Sequence, residues 1–326
     1  MTKTTIVGVS AVVAIFLVCI GTATVRQTGT STDTPPFKEK WRATDHIDAP
    51  MDAYADPQSG SVYISLNPGE QDKKDGKERI AKLSRDGKMI NSNWADGLNA
   101  PKGMRRYENT LWVADINELV GINLSTGKVM SRRVILDATS LTGVAAAPDG
   151  TVFASDFRRD KIYALQNDAV SVFTDAPVYN PPKMIKGGTM AQDPIAPAPR
   201  GITMDGASLV VGGWGQPDAH ISGHLYALNI TSKERTVLYP WPFANMDSLE
   251  TDGKGGYIIA DSLAGRILRF PLHGLAPERL QQLKSGFGQI GFVPSVSLLL
   301  VPYTRGNVVV AYDISDAIAF SEQHRR

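Results

Sequence analysis

The sequence predicts an all-β fold: a six-bladed β-propeller behind an N-terminal transmembrane or signal helix. Three observations carry that reading. A four-strand pattern of short apolar runs and turns recurs six times along the chain. The recurring region has no long helical period that would cover a parallel sheet. A run of 20 residues without a charge, Ile6–Val25, precedes all of it.

The N-terminal run comes first. Twenty residues of helix rise about 30 Å, enough for a bilayer core. Lys3 precedes the run and Arg26 follows it. Two readings stay open: an uncleaved signal anchor, or a signal peptide cut after Ala23 with small residues Gly21 and Ala23 before the cut. Val18 before Cys19 argues against a lipoprotein signal. Either reading exports the rest of the chain to the periplasm or another extracytoplasmic compartment, and the anchor would tie it to the membrane. Residues 1–26 form this segment and 27–39 a flexible linker, marked by Thr, Ser and Pro in QTGTSTDTPP. The propeller occupies 40–316 and a tail 317–326.

The 326 residues carry 34 Lys+Arg against 33 Asp+Glu, a net charge of +1. That balance excludes nucleic-acid binding by broad phosphate neutralisation. With 42% hydrophobic and 21% charged residues the chain is ordinary globular material. Cys19, inside the apolar run, is the one cysteine, so the propeller has no disulfide, no Cys-ligated metal and no thiol nucleophile.

The second strand of each repeat is the easiest to see: SVYISL, TLWVADI, TVFASDF, SLVVGGW, GYIIADS and SLLLVPY. Third strands follow at RIAKLS, LVGINLS, KIYALQ, HLYALNI, RILRFPL and VVVAYDI. Asp149-Gly150, Asp205-Gly206 and Asp252-Gly253 mark turns between first and second strands; Asp86-Gly87 and Thr126-Gly127 mark turns between third and fourth. A small residue sits at each first strand: Ala53, Gly103, Gly143, Gly201, Ser248 and Gly291, spaced 50, 40, 58, 47 and 43 apart. Four strands per 40–50 residues is a propeller blade. The sixth blade shows three strands, and KWRATDHI (40–47) is positioned to supply its fourth, which removes an open edge. The tail AIAFSEQHRR competes for that role.

Loops joining strands two and three share a face with the crossovers between blades. The long segments, Asn67–Glu78, Gly215–Gly223 and the Pro-rich crossover Ala176–Pro199, all belong to that face, which reads as the binding surface. The residue before each small one is expected at the channel mouth: Asp52, Lys102, Thr142, Arg200, Asp247 and Ile290. Such a ring suits an anionic or polyhydroxyl small molecule, or else forms a structural salt-bridge plug.

LNAPKGM (98–104), LWVADI, VFASDFRRDKIYAL, NMDSLETDGKGGYIIADSLAGRILR (245–269) and LLVPYTRGNVVVAY resemble the senescence-marker-protein/gluconolactonase-like propellers, over about residues 50–314. The resemblance implies a divalent cation at the channel mouth that polarises a lactone carbonyl. Its Asp ligand falls on Asp247 and its Glu on Asp52. Its Asn falls on Arg200, a departure, because a guanidinium cannot ligate a metal; a substrate-contacting polar position falls near Thr142. The resemblance thus makes Asp247 and Arg200 the expected catalytic groups. Lys102, Thr142 and Arg200 are the expected substrate contacts. Asp52 and Asp247 are the expected ligands of a cation, Ca²⁺ first among them. Two functions follow: an exported hydrolase of lactones or related esters, or a non-catalytic propeller that binds a small ligand or a protein on its loop-rich face.

Other candidates read as structure. Asp115, Asp156 and Asp261 recur at second-strand ends and are expected to bond loop amides. Trp112 and Trp214 read as packing. His220 and His224 read as solvated loop residues, and His46, His273 and His324 form no constellation. No GxSxG elbow, Walker loop or GxGxxG occurs.

Overall fold

The computed structural model describes residues 34–70, 73–175, 198–215, 222–271 and 275–324. The uncharged run 6–25, most of the Pro-rich crossover, His220 and His273 lie outside the described residues. Among the described residues no helix is long and apolar enough to cross a membrane.

Six four-stranded antiparallel sheets make the six blades. Their innermost strands are Pro50–Ala55, Pro101–Tyr107, Leu141–Ala146, Pro199–Asp205, Ser248–Thr251 and Gly291–Val293. Each of the first five blades continues outward through its next three strands in chain order. The sixth is closed from the other end of the chain: Lys38–Ala43 pairs with Val308–Asp313 and becomes its outermost strand. Closure therefore uses the N-terminal segment, starting at Lys38. The tail takes no strand role. Ser315–Gln323 is a helix whose Ala317 and Ile318 join the apolar layer between blades five and six.

Alternation along the strands explains the core. In Val62–Leu66 of blade one, Val62, Ile64 and Leu66 enter the layer shared with blade six, while Tyr63 enters the layer shared with blade two. Every one of those residues is buried, as expected for a strand covered on both faces. Six such apolar layers fill the six spaces between neighbouring blades. Leaves of one sheet cannot bury both faces alone, so each depends on its neighbours.

The small residues of the inner strands have a steric cause. A Cβ on Gly201 would lie 2.8 Å from Ser248 Cα in the next blade. One on Gly143 would overlap the Arg200 carbonyl oxygen. Around the axis successive backbones approach too closely for a larger residue.

The repeated Asp residues bond loop amides. Asp115 accepts the Asn99 and Ala100 N–H groups, and Asp156 accepts those of Thr139 (2.6 Å) and Ser140 (3.0 Å). Each ties the incoming crossover to the second strand of the same blade, which fixes where the inner strand starts. Asp261 turns instead to its own loop, accepting Ala264 N–H and pairing with Arg266.

Candidate functional site

On the loop-rich face the inner strands open into a cavity of about 220 Å³. Lys102, Thr142, Arg200 and Asp247 line it, as the sequence pattern expects. In blades one and six the pattern slips by one. Met51 and Gln289 line the cavity where Asp52 and Ile290 are expected. Asp52 and Ile290 are both fully buried. The reason is an interblade contact: Asp52 and Gln289 form a parallel bridge, with Gln289 N–H donating to Met51 O (2.7 Å) and Ala53 N–H to Gln289 O (3.4 Å). Because strand side chains alternate in direction, this register turns Asp52 away from the mouth. Gln289 then reaches blade three, where its Nε2 donates to Thr142 O at 3.0 Å.

Arg200 is the centre of the site. Its guanidinium carbon lies 4.0 Å from the Trp214 ring centroid and 4.7 Å from that of Phe157. Nη2 pairs with Asp247 Oδ1 at 2.9 Å, and Nε is buried without a partner. Burial lowers the Arg200 pKa and raises that of Asp247, each opposed by the other's charge. For both groups loss of solvent is the largest influence and the partner's charge works against it.

The second oxygen of Asp247 is also engaged. Oδ2 accepts Ser262 N–H at 2.9 Å and the Ser262 hydroxyl. Lys102, on blade two, donates from Nζ to Ser140 Oγ at 3.0 Å. Thr142 Oγ1 donates to Ser140 O at 3.1 Å. Among the described lining residues three side chains are cationic, Lys102, Arg158 and Arg200, and one is a carboxylate, Asp247.

These donors do not fit a divalent cation. Asp247 spends Oδ1 on Arg200 and Oδ2 on Ser262. Asp52 lies outside the lining, and its Oδ2 accepts Met104 N–H at 2.8 Å. Among the described residues no group of three His, Cys, Asp or Glu side chains lies together. His224 lies just before the third strand of blade four, half-buried, with its Nδ1 buried and unpartnered.

Two aromatic residues of the site are not legible as such in the sequence. Trp214 reads as packing, and Phe157 draws no attention. Both directly follow the end of a second strand, Ser208–Gly213 and Val152–Asp156, in neighbouring blades. Paired aromatics at equal blade positions are the signal that finds them.

No family model and no curated protein matches the chain. Solved structures do. The chain is similar to a chain of a nidogen–laminin complex at 17% identity, TM-score 0.56, covering 74% of this chain and 88% of that one. It is similar to virginiamycin B lyase of Staphylococcus aureus at 15% identity, TM-score 0.53, covering 85% and 99%. A streptogramin B lyase matches at 13% identity, TM-score 0.53, covering 85% and 97%. At these identities the likeness shows the six-bladed propeller fold, shared with lyases and with a component of a protein complex, and does not extend to the finer resemblance to gluconolactonases.

Proposed function

We propose that the loop-rich mouth binds a compact organic anion, with a sugar acid as the ligand type that uses all of its donors. The observation that carries this reading is Arg200, held between two aromatic rings with its charge facing the cavity. A stacked guanidinium loses little rotamer freedom on binding a carboxylate. Lys102, Ser140 and Gln289 supply polar groups for hydroxyls. The small volume supports a ligand of few atoms. The apolar run 6–25 supports placing this pocket outside the cytoplasm, on an exported and membrane-anchored chain.

Hydrolysis of a lactone on the same site is the second reading. One observation favours it: Asp247 is a buried carboxyl whose pKa burial raises, a property useful in a general base. Binding is supported better, because both Asp247 oxygens already hold partners.

Calorimetry with D-gluconate tests the reading. Saturable binding is expected, weakened at least ten-fold by Arg200→Gln, the loss of about 1.4 kcal/mol. Binding unchanged in that variant overturns the assignment. Glucono-δ-lactone turnover that Asp247→Asn abolishes would replace binding with hydrolysis.

A further inference from the structure

The opposite mouth of the channel holds a larger cavity, about 490 Å³. It opens where the inner strands end and the short first-to-second strand turns begin, so it lies on the face away from the long loops. Its floor is an ion pair across the axis: Arg105 of blade two meets Glu250 of blade five. Both side chains are 15% exposed, so the pair remains reachable from the cavity. Arg105 Nη1 also donates to Met104 O at 2.7 Å, and its Cζ lies 5.5 Å from the Tyr54 ring centroid. Burial pushes the Tyr54 phenol up to about 12, which keeps its hydroxyl protonated.

The walls are apolar: Val62, Phe292, Pro294 and Leu298 among them. At the rim stands Arg85, an exposed cation whose guanidinium lies over Gly60; a Cβ there would meet its Nη2 at 2.9 Å. The other charges lining the cavity are matched. Glu250 takes Arg105, and Asp56 takes Arg106 at 2.7 Å together with the Ser59 and Gln58 N–H groups. Among the described residues no carboxylate pairs with Arg85. A 490 Å³ hollow falls in the range that binds small molecules, about 300–1,000 Å³. Apolar walls, a hydrogen-bonding floor and one unmatched cation at the entrance define the occupant.

We propose that this mouth is a second ligand site, which takes a small organic anion with a flat or compact apolar body, its anionic group on Arg85 and its body against Phe292 and Leu298. The site is independent of the loop-rich mouth: the two cavities share no lining residue.

The full-length protein is titrated calorimetrically with 2-naphthoate, and with naphthalene-2-carboxamide as the uncharged counterpart. One saturable site is expected for 2-naphthoate, bound about ten-fold more tightly than the amide, as one charge-assisted contact provides. Arg85→Glu weakens it at least ten-fold. Ser295→Trp, at an exposed rim position, sets an indole across the entrance of the hollow and removes binding. Both positions are exposed, so both variants keep the parent's thermal midpoint. Arg200→Gln, which reports on the other mouth, leaves 2-naphthoate binding unchanged. Three results overturn the proposal: no saturable binding, binding that survives Ser295→Trp, or binding lost with Arg200→Gln. Failure with gluconate at the loop-rich mouth leaves this test intact.

Discussion

Both mouths of the channel are built around an arginine–carboxylate pair, and the two pairs behave differently. Arg200–Asp247 joins adjacent blades; Arg200 is 23% exposed and rests between two rings. Arg105–Glu250 spans from blade two to blade five with both partners 15% exposed. The first pair is lateral and leaves the guanidinium turned toward a cavity. The second crosses the axis and ties opposite sides of the propeller together. The same chemistry thus presents a charge in one place and braces a scaffold in the other, and the difference comes from which blades it connects.

If that contrast holds, removing the acids has unequal consequences. Glu250→Ala leaves Arg105 buried beside one remaining acid, Asp52, and is expected to cost about 3–5 kcal/mol of stability. Asp247→Ala is expected to cost less, about 1–3 kcal/mol, because Arg200 keeps its aromatic neighbours and some solvent. Urea unfolding of both variants measures the difference; equal costs would erase the distinction between brace and display.

Asp52 sharpens the contrast through pH. It is fully buried, its Oδ1 has no partner, and burial pushes its pKa up to about 7, with Arg105 opposing and Glu250 adding. The folded state then holds this proton more tightly than the unfolded chain does. Its contribution to stability is therefore full below the unfolded value, near 4, and falls as pH rises to about 7. The slope is at most about 1.4 kcal/mol per pH unit. Asp52→Asn should flatten stability across that window. A slope that persists unchanged in the variant would assign the titration to another group.

The smallest expected effect lies at the aromatic sandwich. Phe157→Ala removes one face of the Arg200 stack, worth about 0.5–1 kcal/mol. Gluconate affinity should fall about two- to five-fold, with 2-naphthoate affinity unchanged. An equal loss for both ligands would mean that the two mouths are coupled.

Much of the fold was legible in the chain because its signals are local. The Asp-Gly turns, the alternating second strands and the axial Gly positions each report a nearby steric or hydrogen-bonding demand, and six repetitions average out individual errors. Asp115 and Asp156 were readable for the same reason: each bonds amides 15–17 residues away within its own blade. Asp52 and Ile290 were not. Their direction depends on a bridge between blades one and six, 237 residues apart in the chain for Asp52 and Gln289. Phe157 and Trp214 escaped for a related reason, since stacking on Arg200 joins blades three and four.

By itself the sequence determined the number of blades and the second and third strands within each. These follow from short-range periodicity and turn chemistry, which a chain expresses before it closes. Tertiary structure alone decided which of two adjacent inner-strand residues faces a cavity. It also decided which arginine meets which carboxylate, and that a hollow exists at the far mouth. In a strand of period two, a one-residue change in interblade register reverses every side chain, and only the closed ring sets that register.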